Sequence, residues 1–139
     1  MGQFYWKSYK LYYFDEDNGK NYVLEFLETI AENDKAIVID FLTNFADKID
    51  EGKGIPSEMF EQEIIKKLES SSGRLYEYRA RSKKLRKVIR IYFGVVKQHK
   101  IIVLLSGHFK KGKNEQQKEI NDAEKRLKRF IRRRERNET

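Results

Sequence analysis

The sequence predicts an α+β domain in which helices are segregated from a largely antiparallel sheet. Two changes of hydrophobic spacing carry this expectation. Spacing shifts from about 3.6 residues to about 2 after Ser70-Ser71-Ser72-Gly73, and helical spacing returns from Glu115. The length, 139 residues, suits one core, so a single domain over residues 1–139 is expected, built as two layers around that core. The predicted order is strand, two or three helices, three strands, helix.

Phe4, Trp6, Tyr9, Leu11, Tyr12 and Phe14 form an aromatic-rich first strand, ended by the turn signal Asn18-Gly19 after three acidic residues. From Asn21, Val23, Leu24, Phe26, Leu27, Ile30 and Ala31 recur at helical spacing. The pattern resumes after Asn33-Asp34 through Ala36, Ile37, Ile39, Phe41, Leu42, Phe45 and Ile49. This is a helical hairpin, with Asp34 suited to cap its second helix and Gly52 and Gly54 to stop it. Pro56 follows, and Met59, Phe60, Ile64, Ile65 and Leu68 suggest a third, short helix.

Beyond the serine-rich joint, Leu75, Tyr76 and Tyr78 mark a second strand. Val88, Ile89, Ile91, Tyr92, Phe93 and Val95 mark a third, and Ile101 to Leu105 a fourth. Lys97-Gln98-His99-Lys100 is short enough to make the last two an antiparallel hairpin. Ile120, Ala123, Leu127 and Phe130 then give one apolar stripe on a final helix. From about residue 128 to 139 the chain is expected to fray into a basic tail.

Composition narrows the function. With no Cys and two His, disulfides and thiolate metal sites are excluded, and no metal or other cofactor is expected. No run approaches a membrane span, and no leader pattern opens the chain, so the expected compartment is the cytoplasm. The net charge of +8 is polarised: residues 1–70 carry 8 Lys/Arg against 15 Asp/Glu, a balance of −7, and residues 71–139 carry +15. Such asymmetry points to a polyanion-binding surface in the second half.

No glycine-rich phosphate loop is present, and Gly107 and Gly112 lack the necessary flanking spacing. The basic half holds too few carboxylates for a two-metal nuclease, and Glu77 stands alone among arginines. Metal-free RNA cleavage remains open. It uses the substrate's own 2′-hydroxyl, and needs cations for the pentavalent phosphate together with an acid and a base. Arg79 and Arg90 fall on adjacent predicted strands, and Lys110, Lys111 and Lys113 follow the fourth, so the five are expected at one sheet end. Arginine is always charged and bidentate, which suits Arg79 and Arg90 as phosphate clamps. His108 titrates near neutrality, and Tyr92 offers a phenol for stacking or proton relay. Phe93 and Phe109 read first as core and second as base-stacking platforms. His99 reads as a turn residue.

Four segments in order resemble one family. Gly73-Arg74-Leu75-Tyr76-Glu77-Tyr78-Arg79, Arg86-Lys87-Val88-Ile89-Arg90-Ile91-Tyr92-Phe93, Ile102 to Lys111, and Glu119-Ile120 with Ala123 are similar to the phage-derived HigB-like branch of the RelE/ParE toxin superfamily. The resemblance covers residues 73 to about 127. It implies a RelE-like fold and a type II toxin that cleaves mRNA without metal, with or without the ribosome, inhibiting translation and growth; action on the ribosome is the first expectation. It also implies a cognate antitoxin, often a helix-turn-helix protein; the resemblance does not account for the acidic hairpin, which either docks that antitoxin or packs inertly. The family's strand arginines fall on Arg79 and Arg90, its following aromatic on Tyr92, and its paired lysines on Lys110 and Lys111. Arg74, Arg86, Lys87, Lys113 and Phe109 are the expected flanking RNA contacts. His108 stands where relatives carry Phe, Ser106 where His is common, and Lys87 where an aromatic is usual. A different class, a non-catalytic nucleic-acid-binding protein or a ParE-like topoisomerase inhibitor, fits the same fold.

Overall fold

A computed structural model of the chain describes residues 9–49, 55, 57–69, 74–81 and 88–138. Phe4, Trp6, Gly52, Gly54, Pro56, the joint at 70–73, and Arg86 and Lys87 lie outside the described residues. The elements are β1 Lys10–Tyr13, α1 Tyr22–Thr29, α2 Glu32–Ile49, α3 Ser57–Glu61, β2 Ile65–Lys67, β3 Leu75–Arg81, β4 Val88–Val96, β5 Ile101–Phe109 and α4 Lys113–Glu138. The strands form one sheet in the order β1-β5-β4-β3-β2. β1 runs parallel to β5, and the remaining pairings are antiparallel. The class is therefore α+β with a mixed five-stranded sheet.

Local chemistry sets the ends of several elements. The Asn21 side chain accepts from the Leu24 amide at 3.0 Å and caps α1. Asp34 does not cap α2, which starts at Glu32; it lies buried in the first turn, where a carboxylate still meets the positive helix end. The expected third helix is cut short. After α3, Glu63 takes a left-handed φ of 57°, with Ile64 N–H bonded to Met59 C=O and Glu63 N–H to Phe60 C=O. This pair of bonds is a Schellman stop built without glycine. It turns Ile65 into the edge strand β2, so Ile64, Ile65 and Leu68 leave the helix that their spacing suggests.

Two apolar cores replace the single one expected. Val23, Leu27, Val38, Leu42 and Phe45 of α1 and α2 cover one sheet face through Ile91, Phe93, Ile102 and Leu104. Ala123 and Leu127 of α4 cover the other through Leu75, Tyr92, Ile101, Val103 and Leu105. The domain therefore has three layers. The continuous apolar run of β5 is the physical reason: buried on both faces, it cannot alternate. Close approach seals the α4 side, since a Cβ on Gly94 would meet Leu127 Cδ1 at 2.4 Å.

The basic tail does not fray, because α4 continues to Glu138. Arg129 grips Glu16 with two bonds of 3.0 and 2.9 Å, and Arg133 reaches Asp17 at 3.0 Å and the Asp15 carbonyl at 2.7 Å. Arg126 stacks over Tyr22 at 3.5 Å. Part of the charge polarity along the chain is thus internal: the acidic β1–α1 loop holds the end of the basic helix. Among the described residues, no helix is long and apolar enough to cross a membrane.

Candidate nucleic-acid interface

A one-residue irregularity decides which side chains meet. Between β4 and β5 the register pairs Phe93 with Leu104 but Tyr92 with Ser106, so Leu105 is extra on β5. Strict alternation from Leu104 would send His108 toward α1. The bulge reverses the phase and puts Ser106 and His108 on the α4 side of the sheet. Two cross-strand rows result: Arg79, Arg90 and His108, and beside it Glu77, Tyr92 and Ser106.

Arg79 and Arg90 face each other directly, an arrangement that like charge disfavours. Glu77 resolves it. Its carboxylate is 0 % exposed; Oε1 accepts from Arg79 Nε at 2.6 Å and Oε2 from Arg90 Nη1 at 3.4 Å, and Oε1 also lies 3.2 Å from Arg90 Nη1. One buried anion thus holds two guanidiniums and leaves one positive charge uncompensated. Arg90 is 7 % exposed and Arg79 23 %, so Arg90 forms the floor and Arg79 the accessible wall. Arg90 Nε and Ser106 Oγ are buried without a hydrogen-bond partner among the described residues.

Arg79 and Arg90 open into a cleft of about 340 Å³, completed by Gln62, Glu63, Ile64, Val88 and Lys110. A second cleft of about 270 Å³ continues past Arg79 along the edge strand, lined by Phe60, Glu63, Ile65, Lys66 and Lys67. The backbone binds these parts together: Arg79 N–H donates to Ile64 C=O and Lys110 N–H to Val88 C=O, each at 2.8 Å.

His108 and Tyr92 take a different place from the one expected. Both are buried, and the Tyr92 hydroxyl lies 2.9 Å from His108 Nε2 while His108 Nδ1 lies 2.6 Å from the Phe109 carbonyl. A carbonyl only accepts, so Nδ1 carries the proton and Nε2 accepts from the phenol. Burial lowers the His108 pKa, opposed by its bond to Phe109 and by Glu119. Burial, then the nearby Glu77 charge, raises the Tyr92 pKa far above that of an ordinary phenol. Both groups are held neutral with their bonding positions occupied. Tyr92 has no exposed face on which a base can stack, and neither group is placed to exchange a proton with a ligand in the cleft.

The remaining predicted residues divide. Lys110 lines the cleft. Lys111 instead meets Glu119 of α4 at 3.1 Å. Lys113 is exposed at the start of α4. Arg74 precedes β3 at the opposite end of the sheet, its carbonyl bonded to the Val95 amide, because it lies five positions from Arg79 along extended chain. Phe109 packs edge-on against Phe26 at 5.3 Å, on the α1 face, and is therefore core. Sequence reasoning missed Glu77 as the anchor, although its two-residue offset from Arg79 in a strand puts both on one face. Gln62 and Glu63 gave no signal, because a turn formed without glycine brings them to the cleft.

Among the described residues, no group of three His, Asp or Glu side chains converges to hold a metal ion. No family model, curated protein or solved structure matches the chain.

Proposed function

We propose that this chain is an RNA-cleaving toxin on a RelE/HigB-like fold, acting on mRNA at the ribosome and neutralised by a cognate antitoxin. The observation that carries the reading is the Glu77-anchored pair Arg79 and Arg90, held under a cleft that also receives Lys110. Two prepositioned guanidiniums with excess positive charge suit a phosphodiester, and need little reorganisation as charge builds on its oxygens. In the proposed reaction the 2′-hydroxyl of the RNA attacks the adjacent phosphorus and the bond to the 5′ oxygen breaks. Glu63 is the carboxylate lining the cleft and takes the 2′ proton; Lys110 gives a proton to the departing oxygen. His108 and Tyr92 lie outside the cleft lining and take no part in the step.

Primer extension on RNA from cells expressing the chain tests this directly. The wild type is expected to produce discrete new 5′ ends, and Arg79→Gln with Lys110→Ala to weaken them by about 10²-fold or more. Both substitutions are at the accessible wall, so the fold should persist, which a thermal melt checks. Unchanged cleavage in that variant rules out the site.

One observation favours a second reading, a binding module without catalysis: the imidazole beside the arginines has both nitrogens engaged. Growth arrest with intact mRNA would select that reading, including a ParE-like topoisomerase inhibitor.

A further inference from the structure

A second cationic surface lies on the outward face of α4. Lys118, Lys125, Lys128 and Arg132 are all exposed there. At 3.6 residues and about 1.5 Å per residue, the four fall within about 80° of arc along about 21 Å of helix. The inward arginines of the same helix behave differently: Arg126 covers Tyr22, Arg129 grips Glu16 and Arg133 grips Asp17. None of the four outward cations has an acidic or aromatic partner among the described residues. Lys125 and Lys128 are three apart and Lys128 and Arg132 four apart, spacings at which like charges repel and weaken a helix. Opposite charges at the same spacings, Asp122 to Lys125 and Glu124 to Lys128, offset part of that repulsion within the helix, and a bound polyanion would relieve the remainder.

We propose that this row docks duplex RNA next to the cleft; the assignment to RNA rests on reading the cleft as an RNA site. α4 begins at Lys113, shortly after Lys110 of the cleft, and the row begins at Lys118, about 8 Å further along the helix. A straight, rigid line of cations suits phosphates arrayed on a duplex. Single-strand binders interleave aromatic side chains for stacking, and this row has none: Phe130 is turned inward to Tyr12 at 6.1 Å. A lipid surface fits poorly. A membrane-lying helix needs an apolar face to insert, and the apolar stripe of α4 is spent on the sheet through Ala123 and Leu127.

The test uses the full chain and a 20-base-pair RNA hairpin, 2′-O-methylated so that cleavage cannot intervene, with anisotropy read across a salt series. The variant Lys118→Gln/Lys125→Gln/Lys128→Gln/Arg132→Gln is expected to bind at least about tenfold more weakly at low salt. Its slope of log affinity against log salt should fall by about 3.6, or about 0.9 for each of four lost contacts. The charge-keeping variant Lys118→Arg/Lys125→Arg/Lys128→Arg should retain both, which separates charge from folding. Equal affinity and slope in the glutamine variant would overturn the proposal, as would equal loss in the arginine variant. Tighter wild-type binding to anionic vesicles than to the hairpin would also overturn it. If the wild type cleaves no RNA but the glutamine variant alone loses the hairpin, the cleavage reading fails and the docking row stands.

Discussion

Two carboxylate–guanidinium junctions stand at different places in the molecule and differ in stoichiometry. In the α4 clamp, Glu16 meets Arg129 and Asp17 meets Arg133, one anion for each cation, at an accessible surface. At the sheet end, one fully buried Glu77 serves both Arg79 and Arg90. The clamp is balanced and does the work of a staple. The sheet-end junction carries surplus positive charge and opens into a cleft. The difference teaches that arginine count does not identify a ligand site. α4 is the most arginine-rich element, yet its inward arginines are consumed internally. The candidate site lies where cations outnumber the anion that organises them.

Glu77 gives the strongest way to break this comparison. Replacing it with Gln leaves two guanidiniums, one of them nearly inaccessible, facing each other without a counterion. Losing one partner of a buried ionic set costs about 3–5 kcal/mol. Urea denaturation should show the midpoint falling accordingly, with little relief from added salt because the charges are shielded from water. A loss under about 1 kcal/mol would mean that Glu77 does not anchor the arginines.

The next effect concerns the neutral pair beside them. Tyr92→Phe removes the phenol that His108 Nε2 accepts from, leaving a buried acceptor unsatisfied, a loss of about 1–3 kcal/mol. The pair also sets a pH dependence. The folded-state pKa of His108 lies below its ordinary 6.5, so the unfolded chain binds a proton more readily. Its contribution is complete above pH 6.5 and declines as pH falls from there through the lower folded value. Unfolding curves of wild type should therefore weaken across that window, and His108→Gln should flatten the slope. A slope of equal size in the variant would assign the dependence to other groups.

The sequence made the arginine pair visible because β-strand spacing is strict and Arg79 and Arg90 lie in patterned segments. The same strictness explains what was missed. The bulge at Leu105 that sets the face of His108 interrupts it, and leaves no mark in a run that is apolar throughout. Expecting two layers also hid the third, although five consecutive apolar residues, Ile101 to Leu105, already called for cover on both faces. Glu63 reached the cleft through a left-handed turn that a glutamate rarely adopts. The folded-back arginines of α4 were illegible because their partners lie more than 100 positions away.

The smallest expected effect sharpens the comparison from the other side. Glu16→Gln removes one carboxylate of the clamp, where the Arg129 side chain is 42 % exposed, so water and salt already screen much of the attraction. A loss below about 1 kcal/mol is expected, shrinking further in high salt. Its pH signature runs in a lower range than that of His108. The hydrogen bond from Arg129 holds the Glu16 carboxyl below its ordinary 4.5, against a smaller opposing effect of burial. The contribution is therefore full above pH 4.5 and is lost as pH falls through the folded value. A double-mutant cycle between Glu16 and Arg129, set beside one between Glu77 and Arg90, isolates the two coupling energies under the same conditions. If the Glu16 coupling matched that of Glu77 in size and in indifference to salt, burial would not be what separates the junctions. The surplus charge at the sheet end would then lose its claim to be the site.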